Sequence, residues 1–237
     1  MSTLDAAAFQ ALRCATPAQM ADLEALISRL TAANAVMNLI GPDTLPDVWN
    51  RHILDSAQLL DLVPVASTWA DLGAGAGFPG LVLAILLKDR ADSHVWLVDS
   101  LGKRCRFLQE VVDALSLRAT VVNGRAEDQR LKVDVVTARA LAPMDRLLGY
   151  AQPYLQRGAQ GLFLKGEKAE AELIEARKVC RRNRVEAQFF AEPGGLGEAV
   201  RFDPGFLQGE HIGGGALDPR PQRAVPGGPV AHPALHV

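Results

Sequence analysis

A glycine-rich segment that directly follows a short apolar run places the tightest constraint on the fold of this 237-residue chain. The run TWADL, residues 68–72, leads into GAGAGFPG, residues 73–80, in which four of the eight positions are glycine. In a doubly wound α/β sheet the loop after the first strand is where a ligand sits, and glycines let that loop turn sharply and approach the ligand. We therefore predict a strand at 68–72, a helix at 79–87 and a ligand site between them.

The same alternation of strand and helix continues along the chain. Further strands are predicted at residues 94–98, 119–123, 133–138, 161–165 and 184–190, and further helices at 101–115, 144–155 and 167–182. Repeated βα units of this length indicate an α/β fold with a doubly wound, mostly parallel sheet that carries helices on both faces.

The regions before and after these units have a different character. Residues 16–19 show the capping-box pattern with proline at the first helical position, and a second helix is predicted at 45–62. We divide the chain into an N-terminal helical extension (1–62), a sheet domain (63–192) and a glycine- and proline-rich irregular tail (193–237). No strand that would close the sheet is predicted in the tail.

Charge and cysteine content exclude several classes of protein. The formal net charge is −2, so no overall positive field draws the protein to nucleic acid, and any such contact has to use local basic patches. The three cysteines have no metal-ligand spacing and are typical of reduced thiols in a cytoplasmic protein. The N-terminus lacks a signal-peptide pattern and no apolar run reaches about 18 residues. We expect a cytoplasmic protein without a metal or a membrane span.

Two acidic residues bear on which cofactor the glycine loop suits. Residues 75–80 fit the dinucleotide pattern G-x-G-x-x-G, but Asp71 at the strand end would repel a pyrophosphate and attract the ammonium and sulfonium groups of S-adenosylmethionine. Asp99 ends the second strand, 22 residues after Gly77, and is placed to accept the ribose hydroxyls of either cofactor. The pattern favours S-adenosylmethionine over a dinucleotide. In the alternative, the glycines only form a tight turn and Asp99 caps the next helix.

S-adenosylmethionine is a methyl donor, and the sequence says less about the group that accepts the methyl than about the cofactor. The Asp/Asn-Pro-Pro-aromatic motif that serves exocyclic amines is missing, and residues 137–143 stand in its place. No cysteine lies in a setting suited to attack on a pyrimidine ring. A ring nitrogen with a free lone pair, such as guanine N7, needs placement but no general base, and the sequence is consistent with that acceptor.

Seven segments carry a resemblance to a known family: NLIGPD (38–43), RHILDS (51–56), DLGAGAGFPG (71–80), VDSLGKRCRFL (98–108), NGRAED (123–128), VVTARALAP (135–143) and LKG (164–166). Read together, they resemble the bacterial 16S ribosomal RNA guanine-N7 methyltransferases, also called the glucose-inhibited division protein B family. The resemblance implies a class I methyltransferase (Rossmann-like) fold, S-adenosylmethionine as the cofactor, and a guanine of 16S rRNA in the small ribosomal subunit as the target.

The resemblance also assigns roles to single residues. The cofactor contacts that it implies are Gly73, Phe78, Ala126, Glu127 and Arg139, to which the argument above adds Asp71, Gly75 and Asp99. Arg139 ends the fourth strand, where it can face both cofactor and acceptor, so we also assign it the catalytic role; an ion pair with a nearby carboxylate is the alternative. The RNA contacts that we predict are Arg51, His52, Lys103, Arg104 and Lys165.

The basic candidates have structural alternatives. Lys103 and Arg104 stand in the first turn of a helix, where cations oppose the helix dipole. This unfavourable placement points to contact with phosphate, and a solvated face is the alternative. Arg51, His52 and Asp55 lie about one turn apart and could line the acceptor pocket, although a helical histidine is often a packing residue. We expect a monomeric rRNA methyltransferase. The alternatives are a small-molecule methyltransferase, a non-catalytic RNA-binding or assembly factor, and a nicotinamide dehydrogenase, which Asp71 disfavours.

Overall fold

The computed structural model describes residues 4–166, 168–183, 185–191 and 198–204, which form a seven-stranded sheet. The strands are β1 (Thr68–Leu72), β2 (His94–Asp99), β3 (Ala119–Asn123), β4 (Val135–Arg139), β5 (Gln160–Lys165), β6 (Val185–Ala191) and β7 (Glu198–Pro204). Their order is β3-β2-β1-β4-β5-β7-β6, and β1 to β5 pair in parallel. The predicted doubly wound, mostly parallel sheet is confirmed, because the order reverses between β1 and β4.

The N-terminal extension is helical, as predicted, and its second helix begins at the predicted capping box. Helix α1 (Ala6–Arg13) is followed by α2 (Pro17–Met37), which opens with a complete capping box. The Thr16 hydroxyl accepts the Gln19 N–H at 3.2 Å, and the Gln19 side chain accepts the Thr16 N–H at 2.9 Å. Both donors at this helix start are thereby satisfied.

The single helix predicted at 45–62 is wrong. The structure has a 3₁₀ turn (Pro42–Thr44), a π-helical turn (Trp49–Leu54), and the short helices α3 (Asp55–Ala57) and α4 (Leu59–Leu62). Pro46 stands in the first turn of the predicted helix, where proline is tolerated; farther along, the Ser56 hydroxyl donates to the His52 carbonyl at 2.6 Å, a bond that competes with regular helical hydrogen bonding. The widened π turn carries two of the predicted site residues, and such turns are frequent at functional sites.

Apolar side chains cover both faces of the sheet. On one face pack α2, α5 (Gly80–Leu86) and α6 (Gly102–Ala114), and on the other α7 (Met144–Leu155) and α8 (Ala169–Asn183). Strand β1 contributes Trp69 to the first layer and Ala70 and Leu72 to the second. A central strand that is buried on both faces has a nearly continuous apolar sequence, and this is why the bounds of β1 could be predicted.

The prediction of no strand after residue 192 is wrong. Strand β7 lies between β5 and β6 and is antiparallel to both. Its Val200 and Phe202 are fully buried, and the Phe202 ring lies 5.5 Å from that of Phe163, centroid to centroid. The predicted β6 is confirmed within one residue. The rest of the predicted irregular tail, residues 205–237, lies outside the described residues.

Candidate cofactor and substrate site

A cleft of about 260 Å³ opens at the carboxyl ends of the central parallel strands. Its lining comes from the ends of β1 to β4 and from α7, and comprises Gly73, Val98, Asp99, Ser100, Leu101, Arg104, Gly124, Arg125, Ala126, Glu127, Leu141 and Tyr150. Ligands of open α/β sheets bind at this edge, where the strand order reverses. The cleft therefore lies where the sequence predicted a ligand site.

Gly73 brings bare backbone to the wall of the cleft. Its φ is +68°, a left-handed conformation that side chains disfavour, and an added Cβ would lie 2.5 Å from Cδ1 of Leu141. Leu141 also lines the cleft. A residue larger than glycine at this position would strain the turn and displace part of the lining.

The amide groups of the glycine loop are already engaged by the protein. Amides that donate internally are those of Gly73, Ala74, Gly75, Gly77 and Gly80. The Gly80 N–H, at the start of α5, donates to Asp71 Oδ2 at 2.9 Å, and the Gly75 N–H donates to Asp99 Oδ2 at 3.0 Å. A pyrophosphate is bound through free N–H groups at this helix start, and here a carboxylate occupies the place. The loop does not suit a dinucleotide.

Asp71 is placed differently from the prediction of a direct cofactor contact. It is fully buried and does not line the cleft. Burial raises the pKa of Asp71 to about 7; the hydrogen bond from Gly80 opposes this rise and the nearby Asp99 carboxylate adds to it. Its Oδ1 has no hydrogen-bond partner. Asp71 thus holds the start of α5 and does not itself attract a cation in the cleft.

Asp99 fixes the turn into α6, as in the structural alternative, and it also lines the cleft. Oδ1 accepts the Leu101 N–H at 2.8 Å, which fixes the turn into α6, and Oδ2 accepts the Gly75 N–H. The residue lines the cleft although only 3% of its surface is exposed, and Arg104 Nη1 lies 3.7 Å from Oδ2. A carboxylate has about four lone-pair sites, so Asp99 retains acceptor capacity toward the cleft.

The far wall of the cleft comes from the end of β3 and from α7. Ala126 and Glu127 line it as predicted, and the carbonyl of Ala126 accepts the Tyr154 hydroxyl at 3.1 Å. Glu127 Oε1 lies 2.7 Å from Arg125 Nε. The sequence analysis missed Leu141 and Tyr150, which add apolar and aromatic surface. Tyr150 carries no sequence signal, because it reaches the cleft from a helix more than twenty positions after Glu127 in the chain.

The remaining predicted residues form a second group, which we call the π-turn cluster: His52, Asp55, Phe78 and Arg139. The His52 ring stacks on Phe78 at a centroid distance of 4.7 Å, and its Nε2 lies 3.0 Å from the Thr44 hydroxyl. Arg139 Nη2 lies 3.5 Å from Asp55 Oδ2. None of the four lines the cleft, but Arg139 and Phe78 belong to the β4 end and the glycine loop, whose neighbouring residues do.

Burial dominates the electrostatics of the π-turn cluster. It lowers the pKa of His52 to about 3, and the charges of Arg139 and Arg51 act in the same direction. It raises the pKa of Asp55 to about 7; Arg139 and Arg51 oppose this rise, and Asp47 adds to it. At neutral pH the imidazole is therefore uncharged and Asp55 titrates.

The predicted RNA contacts are dispersed. Arg104 lines the cleft, and Lys103 and Arg51 are exposed. Lys165 differs, since its ammonium lies 2.6 Å from Glu172 Oε2, donates to the Ala142 carbonyl at 2.8 Å, and its side chain is only 8% exposed. Lys165 is thus engaged within the protein.

Two classes of feature are missing from the part of the chain that the structure describes. No helix in this part is long and apolar enough to cross a membrane. Nor do its histidine, cysteine and acidic side chains come together in threes as a metal ion would require.

Comparison with known proteins adds a family to this geometry. The GidB family model, described as rRNA small subunit methyltransferase G, matches residues 19–195. Ribosomal RNA small subunit methyltransferase G of Caulobacter vibrioides (strain NA1000 / CB15N) is 60% identical over 177 residues, which cover 75% of this chain and 82% of that protein. The protein of the same name from Paramagnetospirillum magneticum is 50% identical over 164 residues, 68% of this chain and 78% of the relative.

A solved structure supports the fold independently. A SAM-dependent methyltransferase from Aquifex aeolicus aligns with a TM-score of 0.52 over 75% of this chain and 97% of its own, at 15% sequence identity. At that identity the likeness concerns the fold alone. The class I methyltransferase fold predicted from the sequence is confirmed.

Proposed function

Because the chain belongs to the GidB family of rRNA small subunit methyltransferase G proteins, we propose that it methylates N7 of a guanine in the 16S rRNA of the small ribosomal subunit. The chain is a methyltransferase that uses S-adenosylmethionine. The observation that carries the proposal is the glycine loop, whose amides at Gly75 and Gly80 are engaged by the carboxylates of Asp99 and Asp71. Because these amides are not available to a pyrophosphate, the loop suits a cofactor that carries no phosphate, such as S-adenosylmethionine.

The lining of the cleft fits S-adenosylmethionine in its chemistry. The spare acceptor capacity of Asp99 suits the two ribose hydroxyls, and bare backbone at Gly73 allows the close approach of a ligand. Ala126 and Glu127 would face the adenine edge, with Leu141 and Tyr150 as apolar surface beside it. Phe78 and Arg139, which the family resemblance assigns to the cofactor, would hold its other end.

The reaction requires little acid–base catalysis by the protein. When bound, S-adenosylmethionine supplies a methyl group on a sulfonium, whose carbon forms a bond to N7 while the electrons of the broken C–S bond remain on sulfur. N7 attacks with a lone pair and has no proton to lose, so the residues have to orient the base and exclude water. His52 suits this task, because its low pKa leaves the stacked imidazole neutral at neutral pH. Arg139 is the residue placed to face both reactants.

Local basic groups replace an overall positive charge in RNA binding. Arg104 at the cleft and the exposed Lys103 and Arg51 would contact phosphates. With a net charge of −2, such a protein gains little from non-specific attraction to free RNA. We therefore propose the assembled small subunit as the substrate, and a cytoplasmic monomer without a metal as the active species.

Methyl transfer from radiolabelled S-adenosylmethionine to small subunits that lack the modification tests the proposal. We expect label in 7-methylguanosine after nucleoside analysis, and none on large subunits or on small subunits that already carry the modification. Label in another nucleoside would overturn the acceptor atom. Cofactor binding by calorimetry without any label on small subunits would overturn the rRNA assignment and favour a small-molecule acceptor. Loss of both would favour a non-catalytic RNA-binding factor.

A further inference from the structure

Unsatisfied polar atoms concentrate in the π-turn cluster. Among the described residues, five buried side-chain nitrogen or oxygen atoms have no hydrogen-bond partner, and three of them are His52 Nδ1, Asp55 Oδ1 and Arg139 Nη1. The great majority of buried polar side-chain atoms in proteins are hydrogen-bonded, so three orphans in one cluster need an explanation. A ligand that supplies the missing partners is one.

The unpartnered atoms of Asp55 and Arg139 are an acceptor and a donor on two neighbouring side chains. Their other atoms, Asp55 Oδ2 and Arg139 Nη2, lie 3.5 Å apart, which is longer than a good charge-assisted hydrogen bond. Each side chain therefore has one atom turned to the other and one atom with no partner. The two side chains come from different elements, helix α3 and the end of β4.

We propose that Asp55 and Arg139 recognise the Watson–Crick edge of the target guanine, with Asp55 Oδ1 accepting its N1–H and Arg139 Nη1 donating to its O6. This proposal rests on the proposed function, in which the acceptor is a guanine. N1–H and O6 are neighbours on that edge, and Asp55 and Arg139 are neighbouring side chains. N7 stays free of hydrogen bonds and open to methylation.

The same pair rejects adenine. At the two corresponding positions adenine carries a lone pair on N1 and an amino group, so acceptor would meet acceptor at Asp55 and donor would meet donor at Arg139. A site built to hydrogen-bond one pattern discriminates strongly against the reverse, because its buried polar groups are then left unpaired.

The surroundings of the pair suit a base. The neutral His52 and Phe78 provide stacked aromatic surface beside the two charges. The side chain of Arg139 is 19% exposed and that of Asp55 6%, so the pair lies just below the surface. Because Asp55 Oδ1 is covered, the base has to displace part of this cover, and Thr44, which contacts His52 from the mostly exposed segment 41–47, is the cover that we infer moves.

Burial and neighbouring charges act in opposite directions on Asp55. Burial, the larger influence, and Asp47 raise its pKa to about 7, whereas Arg139 and Arg51 favour its ionised form. The exposed Arg51 precedes Asp55 by four residues, one turn, where a nucleotide phosphate would complete the charge balance. An ionised Asp55 is the required acceptor, since the protonated form presents a donor as well.

The test is a double-mutant cycle between the protein and the base. Wild type and Asp55→Ala are compared on reconstituted small subunits that carry either guanine or 1-deazaguanine at the nucleotide that the wild type methylates. In 1-deazaguanine a C–H replaces N1–H at the same size, so only the donor is lost. Asp113→Ala is the matched control, because Asp113 is an exposed carboxylate on α6 that accepts from the Gln109 amide and belongs to neither site.

On guanine we expect Asp55→Ala to lower kcat/KM at least tenfold and Asp113→Ala less than twofold, with the Kd of S-adenosylmethionine within twofold of wild type in both. On 1-deazaguanine the wild type should lose about tenfold and Asp55→Ala less than threefold, since the acceptor for N1–H is already absent. Equal losses in both backgrounds, or an Asp55→Ala variant as active as wild type, would overturn the proposal. A wild type that methylates no subunit at all would instead refute the proposed function.

Discussion

The proposed cofactor cleft and the π-turn cluster each include a residue of the glycine loop, Gly73 and Phe78, and they differ in how their polar groups are satisfied. In the cleft, both oxygens of Asp99 accept backbone N–H groups of the protein itself. In the π-turn cluster, His52, Asp55 and Arg139 each retain a buried atom without a partner. The first site is organised before any ligand binds, whereas the second has its hydrogen bonds left to complete. The difference suits a cofactor that binds in every cycle and a base that has to be selected.

The substitution that we expect to disrupt the cleft most is Asp99→Ala. The substitution removes the acceptor of the Gly75 and Leu101 N–H groups together with the proposed ribose contacts, each worth roughly 1–3 kcal/mol when buried. We expect the affinity for S-adenosylmethionine to fall about a hundredfold, measured by calorimetry. Asp113→Ala is the control, because Asp113 is an exposed carboxylate on α6 outside the cleft. An unchanged Kd in Asp99→Ala would show that the cleft is not organised by this carboxylate.

Two glycine-to-alanine substitutions compare the turn at Gly73, where an added Cβ is strained, with a helix position where it is not. Gly73→Ala places a Cβ at a φ of +68° and against Leu141, and we expect roughly 1–2 kcal/mol of lost stability and about tenfold weaker cofactor binding. Gly149→Ala, on helix α7 with nothing within 4 Å of the added Cβ, should stabilise by roughly 0.5–1 kcal/mol. Urea unfolding measures both. Changes of the same sign at the two positions would contradict the account of the turn.

The buried Asp71 makes a prediction about pH. Its folded-state pKa of about 7 lies above the ordinary value, so its stabilising contribution is complete at acid pH and is lost as the pH rises through 7. Asp71→Asn keeps an oxygen for the Gly80 N–H but does not titrate. Between pH 5 and pH 8 we expect the variant to gain roughly 2 kcal/mol relative to wild type in the free energy of unfolding. Parallel curves for the two proteins would mean that Asp71 does not titrate in this range.

The smallest functional effect is expected for Lys165→Met, which touches neither site. Its ion pair with Glu172 holds β5 to α8, and its loss should cost roughly 1–3 kcal/mol in unfolding free energy. The KM for small subunits should stay within twofold of wild type, since the ammonium is engaged inside the protein. A large rise in KM at unchanged stability would restore Lys165 as an RNA contact, as the sequence predicted.

The sequence predicted the sheet well because its strands are short apolar runs between loops. Strand β1 was predicted with its observed bounds, and the glycine loop with it. It failed at residues 45–62, where a π turn changes the periodicity without changing the residue types. It failed again at β7, where only Val200 and Phe202, alternating with Arg201 and Asp203, mark a strand within a glycine- and proline-rich stretch.

The sequence predicted the residues of the candidate site better than their separation into the cleft and the π-turn cluster. Motif spacing identified Asp99, and the family resemblance implied Ala126 and Glu127; all three line the cleft. It could not tell that Phe78 and Arg139 join His52 and Asp55 in a separate buried group, because ring stacking and ion pairing across distant elements leave no local pattern. Nor could it reveal that Asp71 is turned inward.

The insertion of β7 between β5 and β6 has a consequence for how the protein is made. Among the described strands β6 pairs with β7 alone, although it is synthesised first. During translation β6 therefore has no partner until residues 198–204 have been synthesised and can pair with it. Because β7 is the last of the described strands to be made, a chain that ends shortly before residue 198 keeps the cleft residues but leaves the edge of β5 open and β6 without a partner.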